Sequence, residues 1–249
     1  MNNRIESYAR RQRLFWNVED RDAARFERVD TVSPRSEDAW EALAERDIDR
    51  VLEGIDVRDT WTVVEVGCGV GRLISRLRHR NHNVRIIGVD IAEKMIAYAR
   101  ETLAGDPSVE LHVNSGYDLA IIPEGTADFV YANDVFIHIF DIDVARQYFE
   151  EVLRILKPLG TFRFNVRYFD PTRSFANTLG GMYARFVYSI GLRSTLNRWA
   201  ENQNAEFNGI QYRQRDLHTL VAGTGLDVLS IKVLNGCLWC SCQRPGRCS

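Results

Sequence analysis

Trp61-Thr62-Val63-Val64-Glu65-Val66-Gly67-Cys68-Gly69-Val70-Gly71 is the stretch on which the reading of this chain turns. Its first six residues, rich in β-branched side chains, predict a buried strand over 61–66. Three glycines at alternating positions then predict a tight strand-to-helix turn in which the backbone approaches a ligand closely. Such a turn is weak evidence by itself, because glycine also serves tight turns and close helix packing. Asp90 changes its weight: it stands nineteen residues beyond Gly71, at the end of the next apolar run, VRIIGV at 84–89. A carboxylate there faces the same crevice and has the lone pairs to accept both hydroxyls of a ribose.

Working outward, the apolar pattern alternates between short runs and stretches of 3.6 period. It predicts helix 70–80, strand 84–89, helix 92–103, a short strand near 109–113 and strand 127–132. Residues 141–157 carry Val144, Tyr148, Val152, Ile155 and Leu156 at helical spacing, with Asp141 as N-cap and Pro158 and Gly160 beyond the end, and strand 161–166 follows. On the N-terminal side, residues 36–53 place Trp40, Leu43, Ala44, Ile48, Val51 and Leu52 on one helical face that ends at Gly54. The alternation implies an α/β fold with a mostly parallel sheet covered by helices. Residues 170–212 interrupt it and read as an inserted lid, helical around 182–200. Residues 173–215 carry Arg173, Arg185, Arg193, Arg198, Arg213 and Arg215 against Glu201 and Glu206, a surplus of +4 (6 − 2). Phe175, Tyr183, Phe186, Tyr188, Trp199, Phe207 and Tyr212 are interleaved with them, so the lid suits a planar or glycosylated acceptor bearing a carboxylate or phosphate. After a core helix at 214–222, Asn235-Gly236 joins the last two alternating runs as an antiparallel hairpin.

The organisation expected is an N-terminal polar arm over 1–35, a single domain over 36–243 with the lid inserted, and a tail at 244–249. With 249 residues, 45% hydrophobic and 27% charged, the chain supports one substantial core. A formal net charge of −2 argues against a nucleic-acid-coating surface, and no run reaches the ~18–20 apolar residues of a membrane span. Neither is there a signal-peptide pattern at the start, so a cytoplasmic protein is expected. Of five cysteines, Cys237, Cys240, Cys242 and Cys248 crowd the end while Cys68 lies in the glycine turn. On a strand Cys240 and Cys242 share one face and Trp239 takes the other, so no metal site is expected and the thiols read as small hydrophobes.

A nicotinamide-binding turn has a G-x-G-x-x-G spacing, but the sixth position from Gly67 is Arg72. Over roughly residues 40–243 the chain resembles the class I S-adenosylmethionine-dependent methyltransferases, whose first motif, V-[DE]-x-G-x-G-x-G, is matched by VVEVGCGVG. The resemblance implies a Rossmann-like, seven-stranded, mostly parallel sheet with helices on both faces. GVDIAEKMIAYAR resembles the second motif, which implies that Asp90 binds the ribose, Ile91 packs on the adenine and Met95 lines the pocket. VNSGYDL at 113–119 resembles the third, with Ser115 where many relatives have Asp, and implies adenine contacts from Ser115, Gly116 and Tyr117. FVYANDVFIHIFD at 129–141 resembles the fourth, and VLRILKPLGTFRFNV at 152–166 the helix, turn and strand that follow. By the same resemblance the loop Gly67, Cys68, Gly69, Gly71 holds the cofactor, with Glu65, the Gly67 backbone and Asn133 on its methionine end.

Methyl transfer is an in-line displacement, for which a protein supplies alignment, desolvation and at most one base. His138, in the F-x-H-[IVL] setting just past the fourth strand, is the candidate base, with Asp134 and Tyr131 as nearby polar alternatives. His112 and His218 read as structural, and His79 and His82 as surface residues. The partner expected is a small-molecule acceptor methylated on oxygen. The competing readings are an RNA, protein or nitrogen methyltransferase, a cofactor-binding protein without turnover, and a nicotinamide-dependent oxidoreductase.

Overall fold

The computed structural model describes residues 3–22, 36–80, 83–169 and 209–246. Most of the segment read as a lid, including its helical stretch, and Cys248 in the tail lie outside the described residues. Eight strands form one sheet: β1 (Thr62–Val66), β2 (Arg85–Asp90), β3 (Val109–Val113), β4 (Ala127–Ala132), β5 (Leu156–Tyr168), β6 (Gln211–Tyr212), β7 (Asp227–Leu234) and β8 (Cys237–Gln243). The order is β3-β2-β1-β4-β5-β8-β7, with the two-residue β6 beside the end of β5. The pairs β1–β2, β1–β4, β2–β3, β4–β5 and β5–β6 are parallel, whereas β8 runs antiparallel to both β5 and β7. Strand order therefore reverses between β1 and β4, and the crevice beyond their carboxyl ends is where open α/β sheets bind ligands.

Side-chain alternation sorts the strands between two cores. Val64, Val66, Ile87, Val89, Val130, Phe162, Phe164, Cys240 and Cys242 pack under α5 (Ile142–Ile155) and α6 (Gln214–Ala222). Val63, Ile86, Phe129, Tyr131 and Trp239 pack on the opposite side, under α2 (Glu37–Leu52), α3 (Arg72–Arg80) and Ile96 of α4 (Glu93–Thr102). The two cysteines thus share a face and are fully buried, as the alternation requires, and the Cys242 thiol lies 3.6 Å from the Phe162 carbonyl.

Local chemistry accounts for the element ends. Ser36 caps α2 by accepting the Ala39 N–H at 3.2 Å, and Asp141 caps α5 by accepting the Asp143 N–H at 3.0 Å. At the other end of α2, the Arg163 guanidinium of β5 donates to the carbonyls of Arg50, Val51 and Glu53. A side chain 110 residues away thereby satisfies carbonyls that the helix leaves unpaired. Asn235 and Gly236 have φ of 52° and 78°, the pair of positive values that a type I′ hairpin turn needs.

Three boundaries differ from expectation. Helix α5 stops at Ile155 and the chain enters β5 at once, bulging at Lys157–Gly160, where Pro158 has no N–H for the ladder and Leu159 adopts φ 63°. Residues 209–212, assigned to the lid, rejoin the body of the domain: Phe169 N–H donates to the Tyr212 carbonyl at 2.8 Å, and Tyr212 is buried in the core. The polar arm contains a helix, α1 (Asn3–Trp16), whose Tyr8, Ala9 and Gln12 are buried against the body of the domain. No helix among the described residues is long and apolar enough to cross a membrane.

Candidate functional site

A cavity of about 470 Å³ opens at the carboxyl ends of β1, β2, β4 and β5, where the strand order reverses. Each glycine of the turn after β1 has its own reason. Gly67 (φ 73°) lies so close to Val135 that an added Cβ would sit 2.2 Å from its Cγ2. Gly69 (φ 53°) faces open space and donates its N–H to Asp90 Oδ2 at 2.9 Å. Gly71 is not at the cavity wall; it lets the start of α3 pack on Leu103 and Ala99 of the α4 region.

Asp90 ends β2 with both oxygens in use, Oδ1 accepting the Ala92 N–H at 2.9 Å. Burial raises its carboxyl above the usual range, against the pull of the Ala92, Gly69 and Ile91 N–H groups. Glu65, 3% exposed at the end of β1, accepts the Tyr131 hydroxyl at 3.0 Å. Burial pushes Glu65 up to about 8, with the Tyr131 hydrogen bond and the Arg72 charge pulling down. A positive charge placed beside such a buried acid favours its ionised form. Cys68 is buried beside these carboxylates, and its thiol is held well above the usual range by burial, so it is a neutral wall group.

On the opposite wall Asp47 of α2 collects three guanidiniums. Its Oδ2 accepts Arg72 at 2.9 Å; its Oδ1 accepts Arg46 at 3.1 Å and Arg50 at 3.4 Å. Asp47 and Arg72 are both buried, so this pair ties α2 to the glycine turn.

Beyond β4, Asp134 takes φ 57°, a left-handed value that residues other than glycine pay for in steric strain. Asn165 of β5, 2% exposed, holds it from both ends: Asp134 N–H donates to Asn165 Oδ1 at 2.8 Å, and Asn165 Nδ2 donates to Asp134 Oδ1 at 2.6 Å. Asn133 Nδ2 adds a bond to Asp134 Oδ2 at 3.1 Å. His138 follows in the same loop, its backbone N–H on the Val135 carbonyl and its ring edge-on to Trp16 at 4.9 Å between centroids.

Residues 63–160 match the family described as Methyltransferase domain. That match places a methyltransferase domain within residues 63–160. Phosphoethanolamine N-methyltransferase of Triticum aestivum is similar to it at 29% identity over 107 residues, 43% of this chain and 20% of that protein. Trans-aconitate 2-methyltransferase of Azoarcus sp. (strain BH72) is 31% identical over 137 residues, 54% of this chain and 51% of that protein. The chain therefore spans 20% and 51% of the length of these two relatives. Geranyl diphosphate C-methyltransferase from Streptomyces coelicolor A3(2), solved with Mg2+, geranyl diphosphate and S-adenosyl-L-homocysteine, superposes with a TM-score of 0.63 at 16% identity. That likeness covers 95% of this chain and 97% of the other, and it is one of fold.

Of the residues singled out in the sequence, the fold brings Glu65, Gly67, Cys68, Gly69, Asp90, Ile91, Met95, Gly116, Asn133 and His138 to one cavity. Ser115 and Tyr117 are absent from its wall. The Ser115 hydroxyl accepts the N–H groups of Tyr117 and Asp118 at 3.2 and 2.9 Å, shaping the turn around Gly116, and Tyr117 packs against the core. His112 lies on edge strand β3 near Glu110, His79 bonds the Ser75 carbonyl on an exposed helix face, and His218 is exposed on α6. The sequence reading missed Tyr8, Gln12 and Trp16 of α1 and Asn114, all of which line the cavity. Arg13 fastens α1 there, donating to the carbonyls of Ile91 and Asn114 at 3.3 and 3.4 Å. The available signal was the helical spacing of Ile5, Tyr8, Gln12 and Trp16 within an otherwise basic segment.

Proposed function

We propose that the chain binds S-adenosylmethionine in this cavity and transfers its methyl group to a small-molecule acceptor, with a hydroxyl as the favoured acceptor group and an amine next. What carries the reading is one conjunction: an open glycine turn, the ribose-type acid Asp90 and the buried acid Glu65 meet at the point where the strand order reverses. The residues suit that cofactor. Asp90 has remaining lone pairs for two ribose hydroxyls, and Gly69 borders open space with no protein atom within 4 Å of where its Cβ would stand. Ile91 and Met95 offer an apolar wall for the adenine. Buried atoms Gln12 Nε2 and Asn114 Oδ1 have no hydrogen-bond partner and belong to residues of the same wall.

When bound, this cofactor supplies an electrophilic methyl on a positively charged sulfur. Glu65 holds the ammonium of its methionine end, with the Gly67 backbone and Asn133 beside it. Trp16 and Tyr8 of α1 exclude water from the other end. His138, in the loop after β4, accepts the proton that the acceptor sheds, and the arginine-rich segment over 173–215 contributes to acceptor binding.

Calorimetric titration with S-adenosylhomocysteine and, separately, with NAD tests the reading. Binding of the former, weakened at least tenfold in Asp90→Ala, is expected. Preference for NAD would overturn it. His138→Ala is expected to lower turnover by 10²–10⁴-fold, the usual contribution of a general base, with cofactor affinity unchanged.

A further inference from the structure

Four carboxylates line the cavity among the described residues, and all four have hydrogen-bond partners. Asp47 is shared by Arg46, Arg50 and Arg72. Asp90 is bonded to the Gly69 and Ala92 N–H groups at the end of β2, and Glu65 to the Tyr131 hydroxyl at the end of β1. Asp134 is the fourth, and it alone stands on the β4–β5 side, away from the ribose end marked by Asp90.

Its surroundings are built rather than incidental. Residue 134 accepts left-handed strain, and the turn this makes drops Val135 against Gly67, in contact with the cofactor loop. The reciprocal pair of bonds with Asn165 fixes both the backbone and the carboxylate, and Asn165 itself is sealed in β5 opposite Trp239 of β8. Amide and carboxylate together leave Asp134 little rotamer freedom, which is what holding a reacting group at a set position requires.

We propose that Asp134 faces the methyl being transferred and holds the acceptor's reacting O–H or N–H by accepting its hydrogen bond, with Asn165 as its positioning residue. This rests on the cofactor reading above. As the acceptor oxygen or nitrogen forms its bond to the methyl carbon, the carbon–sulfur pair stays on sulfur, and the proton released moves onto the Asp134 carboxylate. His138, which lines the same cavity, is the residue that finally takes it up. Positive charge leaves sulfur and builds on the acceptor atom during the transfer, so a carboxylate on the acceptor side stabilises the transition state more than the ground state. The acceptor class that follows is one with a transferable proton on the methylated atom.

Sinefungin tests the geometry without any acceptor, because an amine-bearing carbon replaces its methyl-bearing sulfur and puts an ammonium where the methyl would be. Affinities for sinefungin and S-adenosylhomocysteine are to be measured in the full chain, in Asp134→Asn, which tolerates the left-handed backbone, and in Asn165→Ala. Asp134→Asn is expected to weaken sinefungin by about tenfold or more with S-adenosylhomocysteine unchanged, as befits loss of a charged hydrogen bond. A smaller selective loss is expected in Asn165→Ala. Equal losses for both ligands would reduce Asp134 to a structural role, and no loss for either would remove it from the methyl's neighbourhood; each overturns the proposal. Failure of the unaltered chain to bind either ligand would instead sink the cofactor reading itself.

Discussion

Gly67 and Gly69 look alike in the sequence and differ in what they do. At Gly67 an alanine would meet Val135 at 2.2 Å and hold a left-handed φ, so Gly67→Ala combines overpacking with backbone strain. A destabilisation of about 2–4 kcal/mol is expected from those two terms. Val135→Ala removes the clashing methyl, and the double variant should recover the packing part, read from urea midpoints in a double-mutant cycle. Gly69→Ala meets no protein atom, so it should cost only about 1–2 kcal/mol of stability and show its effect as lost S-adenosylhomocysteine binding. If the two variants behaved alike in both measurements, the separation of packing glycine from ligand glycine would fail. The motif itself was legible from spacing alone, but which glycine serves which purpose depends on Val135, 68 residues beyond Gly67, and Leu103, 32 residues beyond Gly71.

Among the elements, α1 and α2 are the ones whose roles come from contacts remote in sequence. Helix α1 brings Tyr8, Gln12 and Trp16 to the cavity, and Asn17 just beyond it accepts the Lys94 N–H at 2.9 Å, supplying α4 with the cap its own Ala92 lacks. A chain beginning at Ser36 should keep its far-ultraviolet circular dichroism per residue of sheet yet lose S-adenosylhomocysteine affinity by on the order of tenfold or more, given the aromatic area withdrawn. Unchanged affinity would confine α1 to packing. Helix α2 is joined to the glycine turn through the buried Asp47–Arg72 pair. Asp47→Ala leaves that guanidinium without its counter-charge and should cost about 3–5 kcal/mol in denaturant unfolding, far beyond the effect of Glu41→Ala in the exposed pair with Arg76.

Across the whole molecule, the charge state of Glu65 links pH, ligand and stability. Its folded pKa, about 8, lies above the ordinary carboxyl value of 4.5 because burial disfavours the anion. The folded state therefore binds this proton more tightly than the unfolded state. The resulting stabilisation is fully present below pH 4.5 and is lost as pH rises toward 8. Asp90, raised in the same direction, adds to the trend. A ligand ammonium beside Glu65 favours the anion, so the rise in melting temperature caused by S-adenosylhomocysteine should grow as pH increases through the same window. Glu65→Gln should flatten that growth; a ligand-induced shift equally steep in the variant would detach Glu65 from the ammonium.

Local interactions explain how much could be read without coordinates. Strand and helix periods, the glycine turn, Asp90 at the end of β2, the Asp141 cap and the Asn235-Gly236 hairpin each depend on neighbours within a few residues or on one face of one element. They were sufficient to specify the parallel sheet, its antiparallel end and the segments that meet at the cavity around the glycine turn and Asp90. Tertiary structure decided what joins distant segments: Arg13 to Ile91 across 78 positions, Arg72 to Asp47 across 25, and Asn165 to Asp134 across 31. Such pairs leave no period in the sequence, because each member is an isolated polar residue whose partner is chosen only when the sheet has aligned the strands that carry them. One of these pairs, Asn165–Asp134, shapes the β4–β5 side of the cavity, and the other two brace the wall around the glycine turn and Ile91, whose own residues form continuous motifs.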